Sequence, residues 1–392
     1  MKPLLAFDRN IGILIGVQVC VIGCMAGIRM AAPLLLLRQG YGTTTVGCLL
    51  ALFSFIQLFL AIPAGRFADR HGLKTPVMLC MACAAVGAAL ASLWPVLPVI
   101  CVAALLNGAA TGGVMITLQR HAGRLASEPT QLRQIFSWLA VAPSIANFVG
   151  PFVSGVVIDY VGFSASFAVM GGLALLSWPM VRHSPELVKE SVETSHAASN
   201  RSWELLADPR LRQLLFINWI MMSCRDVHTF VLPLLGHERG ISASVIGGIL
   251  GAFAIAATVV RLFLPVVAAR IQEWAVIAVA MVAAAVLYGI YPLVSSPLLM
   301  GVCSVLLGLF LGAVQPMIMS SLHQITPPHR QGEALALRLM SVNMSSILMP
   351  VAFGSLGAAI GVAKVFWSIS AIVACGLRSA INLRRSQTAH DD

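Results

Sequence analysis

Read for polarity alone, the chain is a succession of long apolar runs separated by short polar breaks. The runs fall near residues 11–37, 45–67, 76–95, 97–118, 134–158, 163–181, 213–235, 245–268, 275–293, 297–320, 333–358 and 364–382. Each approaches the ~20 residues that an α-helix needs to cross ~30 Å of hydrocarbon, and all are longer than the ~10-residue alternating strands of a membrane barrel. The pattern therefore predicts an all-α integral membrane protein with twelve transmembrane helices. Pro and Gly inside several runs fit this reading, because neighbouring helices can satisfy the backbone groups they free. The one long polar stretch, "RHSPELVKESVETSHAASNRSWELLADPRLR" from Arg182 to Arg212, divides six runs from six. The expected organisation is an N-terminal six-helix bundle (1–182), a cytoplasmic linker (183–211) and a C-terminal six-helix bundle (212–392). At the end of the linker, Asp208-Pro209 reads as an N-cap followed by proline at the first helical position.

The halves repeat each other at a shift of about two hundred residues. "PLLLLRQGYGTTTVG" (Pro33 to Gly47) lies over "PLLGHERGISASVIG" (Pro233 to Gly247), and Gly108 and Gly112 lie over Gly308 and Gly312. Pro151 and Pro350 correspond at a shift of one less. Two pseudo-symmetric bundles with a substrate site between them near the bilayer midplane are how secondary transporters are built.

Composition sharpens the class. Hydrophobic residues make up 58% of the 392 and charged residues 10%, against roughly 25% charged in soluble domains. The mean hydropathy is +0.89. A net charge of +10 could suggest nucleic acid, but the basic residues fall where membrane topology puts them. Lys2, Arg9, Arg66, Arg70, Lys74, Arg120, Arg182, Arg270, Arg330, Arg384 and Arg385 lie in the linker, the terminal segments or one alternate set of loops, against only Arg38, Arg239 and Lys364 in the other set. Both termini are thus expected in the cytoplasm of a bacterial cell, with the chain in its inner membrane and no nucleic-acid partner. The first run is too long for a signal peptide and lacks a nearby small-residue cleavage site. All nine cysteines lie in or beside runs, so no disulfide framework is implied, and the "CMAC" of Cys80 to Cys83 reads as small packing residues. "GAATGG" lacks the Lys-Ser/Thr of a phosphate loop, no HExxH occurs, and no large soluble domain is left over. Neither an enzyme nor a cofactor or metal site is expected.

"GRFADRHGLK", Gly65 to Lys74, follows the pattern G-x-x-x-D-R-x-G-x-K. With it the chain resembles the major facilitator superfamily of transporters over essentially its whole length. The resemblance implies that Asp69 lies against the N-terminus of the eleventh helix in one conformation, a place where the helix dipole favours a carboxylate. It also makes Gly65, Arg70, Gly72 and Lys74 parts of the same conformational motif. "ANFVGPFVSG" in the fifth helix resembles the family's export-associated motif at Gly150, Pro151 and Gly155, with Ala146 and Ser154 in place of glycines. An arginine common in the fourth helix of proton-coupled exporters is absent: Asn107-Gly108 is preceded by Ala104. The second half's loop motif has decayed to "PVVAARIQEW", with Ala269 where Asp69 would repeat.

Charges inside the spans point to the site. Arg225 lies 12 residues before His237, or ~18 Å deep at ~1.5 Å per residue, and Arg29 is comparably deep in the repeat-related first helix. The resemblance implies that these two helices line a hydrated central cavity, which would spare both guanidiniums the cost of lipid. On the seventh helix Arg225, His228 and Thr229 are spaced to share a face, whereas Asp226 is turned about 100° away. Asp226 is therefore expected to pair with another helix, Arg261 being one candidate, and to carry coupling protons together with His228. Arg29, Arg225, Arg261 and Arg338 outnumber the one deep acid, which favours an anionic substrate; Arg338 is close enough to the inner loop to snorkel. Asn107, Gln315 and Asn343 complete the expected substrate-binding set with Arg29, Arg225 and His228, while Gln57 and Asn147 are further lining positions. The expected function is proton-coupled export, by antiport and alternating access, of a small anionic or amphipathic compound by a monomer in the lipid bilayer. Uptake of an organic anion is the first rival, and a transport-inactive sensor or lipid-handling protein the second.

Overall fold

A computed structural model describes residues 9–125, 135, 138–139, 141–182, 202–268, 272–327 and 330–391. Among them are twelve helices of at least 14 residues and no strand. The first six are α1 (Arg9–Arg38), α2 (Thr43–His71), α3 (Lys74–Leu93), α4 (Leu97–Leu125), α5 (Val141–Tyr160) and α6 (Phe163–Leu176). The second six are α7 (Pro209–Glu238), α8 (Ala243–Ala268), α9 (Glu273–Ile290), α10 (Pro297–Ile325), α11 (Gln331–Ile360) and α12 (Val362–Asp391). After α6 the chain resumes helix over Trp178–Arg182, and the hydroxyl of the intervening Ser177 donates back to the Ala174 carbonyl at 2.9 Å.

Ten of the spans are long and apolar enough to cross a membrane. The two outside that set are α7, with its polar and charged groups, and α12, whose apolar part is Val362–Leu377. Several helices outrun their apolar stretch, α2 to His71 and α4 to Leu125, so Arg66 and Arg70 ride on a helical end beyond it. The continuously described part of the fifth helix begins at Val141, and Ile135, Trp138 and Leu139 before it are helical as well. Residues 183–201 of the linker lie outside the described set; Ser202–Ala207 form a 3-10 turn. The expected cap is present where α7 begins. Asp208 accepts a hydrogen bond from the Arg210 amide at 2.8 Å, with Pro209 in the first turn.

The two-hundred-residue repeat has a structural cause. α1 and α7 both end at a glycine with positive φ, Gly40 at 86° and Gly240 at 67°, the left-handed conformation that closes a helix without steric cost. In the loop motif Gly72 has φ 76°, whereas its repeat partner Gln272 is extended at φ −72°. The decay of the second motif is thus a change of backbone path as well as of charge. Gly108 and Gly112 bring α4 onto α2, where a Cβ at Gly108 would overlap the carbonyl of Phe53. Gly308 and Gly312 bring α10 onto α8 in the same way, against Phe253 and Ala257. Without a hydrophobic force between helices in lipid, such backbone approach is a main source of packing energy. Gly308→Val should lower the thermal stability of the detergent-purified protein by about 1–3 kcal/mol, because the colliding partner is a carbonyl that cannot turn aside. Unaltered melting would show that α8 and α10 pack more loosely than this.

The chain forms two compact units. Unit one gathers Met1–Tyr41, Leu49–Val192 and Gly240–Gly251; unit two gathers Gly42–Cys48, Glu193–Arg239 and Ala252–Asp392. Each therefore contains one helical end whose remainder belongs elsewhere. In unit one, α1 crosses α5 closely at Gly150, where an added Cβ would overlap the Gly23 carbonyl, and the first turns of α8 meet α5 at Pro151 and Gly155. There both carboxylate oxygens of Asp159 accept backbone amides at the start of α8, from Ala243 at 3.0 Å and Ser244 at 2.8 Å. A carboxylate at the C-terminal end of its own helix opposes the dipole of that helix but favours the N-terminus it caps. In unit two the first turns of α2 meet α11 through the repeat-related residues Gly47, Pro350 and Gly354, and the Thr43 hydroxyl donates to the Gly354 carbonyl at 2.8 Å.

Candidate functional site: charged groups within the second unit

α7 is buried along nearly its whole length, so its polar residues are held in place by the helices around it. Arg225, near the middle of the helix, is one exception, with 36% of its side chain exposed. Its Nη2 donates to Asp226 Oδ1 at 3.3 Å. This overturns the expectation that the 100° between the two side chains would keep them apart. A guanidinium on a three-carbon stem can reach across that angle, and here it does.

Asp226 itself is only 4% exposed. Its other oxygen accepts hydrogen bonds from two hydroxyls of α11, Ser345 at 3.2 Å and Ser346 at 3.1 Å, and Ser345 lies 3.2 Å from Ser223. The carboxylate sits in a socket made of one guanidinium and two serines. Its expected pairing with Arg261 is not made. Arg261 Nε instead donates to the Gly312 carbonyl at 3.3 Å, which is within reach because α8 and α10 touch at that glycine.

Arg261 and Arg338 both lie close enough to Arg225 for the like charges to repel. Arg338 is 8% exposed, so it does not snorkel outward as expected, and its Nε is buried without a hydrogen-bond partner. Two turns of α11 separate Arg338 from Ser345, which puts them on one face of the helix. The described part of unit two thus places two further guanidiniums near Arg225, whose own partner is the deeply placed carboxylate of Asp226.

The remaining expected residues are distributed differently. His228 has no exposed surface. Its Nε2 lies 2.9 Å from the Ser304 hydroxyl, its ring stacks on Phe253 at 4.5 Å, and it meets Tyr291 edge-on at 6.0 Å. It does not share an open face with Arg225. Thr229 bonds back to the carbonyls of Arg225 and Asp226, both at 3.1 Å. Gln315 is half-buried, with Nε2 at 3.7 Å from the sulfur of Met222, and Asn343 is half-buried on α11. In unit one, Arg29 is half-buried on α1. Asn107 is 1% exposed, accepts from the Cys24 thiol at 3.3 Å and donates to the Ala103 carbonyl at 2.9 Å, so it serves helix packing there. Gln57 reaches the sulfur of Met25 at 3.9 Å, and the exposed Asn147 donates to the Pro143 carbonyl at 2.6 Å.

Of the loop motif, Arg70 is exposed while Gly65 and Lys74 are half-buried; the Asp69 side chain lies outside the described residues. Gly150, Pro151 and Gly155 lie on the two α5 crossings described above. Among the described residues no group of His, Cys, Asp and Glu is arranged to hold a metal ion.

Residues the sequence reading missed are Ser345, Ser346 and Asp159. The paired hydroxyls of "NMSSIL", about two turns beyond Arg338 in an otherwise apolar stretch, are the signal for the first two.

No curated protein is similar enough in sequence to be matched. Among solved structures, the nucleoside transporter NupG superposes with a TM-score of 0.76 at 14% identity, covering 97% of this chain and 99% of that one. A bacterial homologue of the human lysosomal transporter Spinster, in an inward-facing and occupied conformation, gives 0.78 at 12% identity, with 96% of each chain covered. The human organic anion transporter MFSD10 (TETRAN) gives 0.65 at 16%, covering 95% and 99%. These likenesses establish the fold, that of twelve helices in two six-helix bundles. The sequence profile of the Major Facilitator Superfamily matches residues 14–300 and 214–387, and together with the repeat, the loop motif and the helices this shows that the chain is a multi-pass membrane protein belonging to that superfamily.

Proposed function

We propose that the protein is a secondary transporter that moves a small organic anion, or an amphipathic compound with an anionic group, by alternating access, with protons as the coupling ion. The observation that carries this is that Arg261 and Arg338 stand near enough to Arg225 to repel it, while among the described residues Arg225 has one carboxylate, Asp226, as its ion-pair partner. Uncompensated positive charge among packed helices is costly, and a carboxylate or phosphate that accepts from several guanidinium forks offsets the cost. Arg29, Gln315 and Asn343 are proposed as further substrate contacts. Asp226 is the proposed proton carrier. The burial of His228 on both faces favours a packing role over the coupling role first expected for it.

The distribution of lysine and arginine supports cytoplasmic termini and placement in a bacterial inner membrane, and the protein is proposed to act as a monomer. Asp69, Arg70 and Lys74 are proposed to secure the inner loop during the conformational cycle.

Export is the direction favoured by Gly150, Pro151 and Gly155 of α5. Uptake of the same anion is a second reading, and the Arg225–Asp226 pair favours it because an anion that takes Arg225 leaves Asp226 to accept a proton, so that both enter together. Right-side-out membrane vesicles given an acid exterior separate the two. Accumulation of a radiolabelled organic anion is the result expected for uptake and excludes export; accumulation confined to everted vesicles with an acid lumen excludes uptake. A sensor with no transport role would accumulate nothing in either, and would be indifferent to Asp226→Asn.

A further inference from the structure

Asp226 occupies the position that a substrate anion would want. One of its oxygens takes the Arg225 guanidinium at 3.3 Å, and the other takes the hydroxyls of Ser345 and Ser346 at 3.2 and 3.1 Å. Arg225 is the most exposed member of this group, with 36% of its side chain accessible against 3% for Asp226. An arriving carboxylate or phosphate therefore meets a guanidinium whose present partner belongs to the protein.

We infer that Asp226 is a built-in substitute for the substrate: it neutralises Arg225 in the empty site, an incoming anion displaces it, and the displaced carboxylate takes up a proton, so that anion and proton bind together. The inference rests on the anion-transport reading above and adds the sign of the coupling.

Once Arg225 turns to the ligand, an ionised Asp226 would be left at 4% exposure with only two serine hydroxyls for partners. The other charged or titratable groups facing it are Cys224 on its own helix, Tyr288 on α9, and, around Arg225, Arg261 on α8 and Arg338 on α11. Arg338 keeps a buried Nε without a partner, but among the described residues no hydrogen bond joins it to Asp226. The Tyr288 hydroxyl is committed to the Cys224 carbonyl at 2.6 Å, and Arg261 Nε to Gly312. Leaving a buried carboxylate unpaired costs several kcal/mol, and a proton from solution, forming an O–H bond on one carboxylate oxygen, removes that cost.

Binding linkage is reciprocal, so a proton on Asp226 strengthens anion binding by the factor by which the anion strengthens proton binding. A carrier that loads both ligands together carries both the same way. Proton–anion antiport would need the opposite sign, as when a cation competes with a proton for one carboxylate.

The test uses the full-length protein in detergent and methanesulfonate, whose charge is constant between pH 5.5 and 7.5, so that any pH dependence belongs to the protein. Affinity is read from thermal-shift titrations, and proton exchange from an indicator dye in weakly buffered solution. The expected result is affinity that tightens as pH falls, by up to roughly tenfold per pH unit, the limit for one coupled proton. Proton uptake on addition of the anion should accompany it. Asp226→Asn should bind methanesulfonate with the low-pH affinity of the wild type at every pH. If that variant does not assemble, proton uptake by the wild type decides alone. Binding that is flat with pH and takes up no proton overturns the exchange role of Asp226 and leaves the anion reading standing. Absence of stabilisation by methanesulfonate, succinate and phosphate at every pH overturns both.

Discussion

Arg225→Ala should weaken anion binding by a factor of about thirty or more and abolish accumulation in proteoliposomes. Truncating one partner of a hydrogen-bonded charge pair costs about 2–5 kcal/mol, and the exposure of Arg225 puts its loss at the low end of that range, with binding and stability affected separately. The ligand loses the most accessible guanidinium of the cluster, and Asp226, 4% exposed, loses the charge beside it. Arg225→Lys keeps the charge but not the planar fork, so its affinity should fall between wild type and alanine. The double variant Arg225→Ala with Asp226→Asn removes the stranded carboxylate and should regain stability without regaining binding. Counterflow exchange of a labelled anion, which needs no gradient, measures the binding loss separately from the coupling loss. Wild-type affinity in Arg225→Ala would place the substrate elsewhere in the protein.

The second large effect is expected on stability. His228→Leu should cost about 2–4 kcal/mol and lower the melting temperature by several degrees, with transport per folded molecule and its pH dependence unchanged. The imidazole is fully enclosed, stacked on Phe253 and bonded to Ser304, whose hydroxyl also lies 2.9 Å from that of Tyr291. Leucine fills a similar space but gives up the hydrogen bond and the ring stacking. A protonated imidazole would carry N–H groups at both nitrogens, and Nδ1 is buried with no acceptor. The enclosed ring shares no open face with Arg225 and Asp226, which is why the pH dependence should survive the substitution. A variant that folds normally but loses its pH response would return His228 to the coupling machinery.

Much of the architecture could be read in advance because it is written at intervals that single residues reveal. The apolar runs anticipate the spans because hydrocarbon thickness sets their length. The pairs Gly108 with Gly308 and Gly40 with Gly240 stand out because only glycine tolerates a touching carbonyl or a positive φ at those places. Asp208-Pro209 is legible because capping is local.

The site was harder to read. Helical spacing reports where a side chain leaves the backbone and says little about where a long one ends, so Arg225 and Asp226 were set apart when they are bonded. The same spacing puts His228 beside Arg225, although α8, α10 and Tyr291, just beyond the end of α9, enclose it. Ser345 and Ser346 gained their meaning only when α11 was set against α7, a pairing 119 residues apart in sequence that no local pattern carries.

The crossings of α5 with α8 and of α11 with α2 follow one plan, proline and glycine on one helix facing glycine on the other. They differ in a single respect. Asp159 clamps the first, whereas at the repeat shift of 199 residues seen for Pro151 and Pro350 the matching position is Ala358. One junction is ionic and open to solvent, the other rests on contact and a neutral hydroxyl. Dissolved salt screens the former and leaves the latter alone. Ionic strength should thus act as a one-sided lever on an otherwise duplicated framework, loosening the end of α8 while the end of α2 holds.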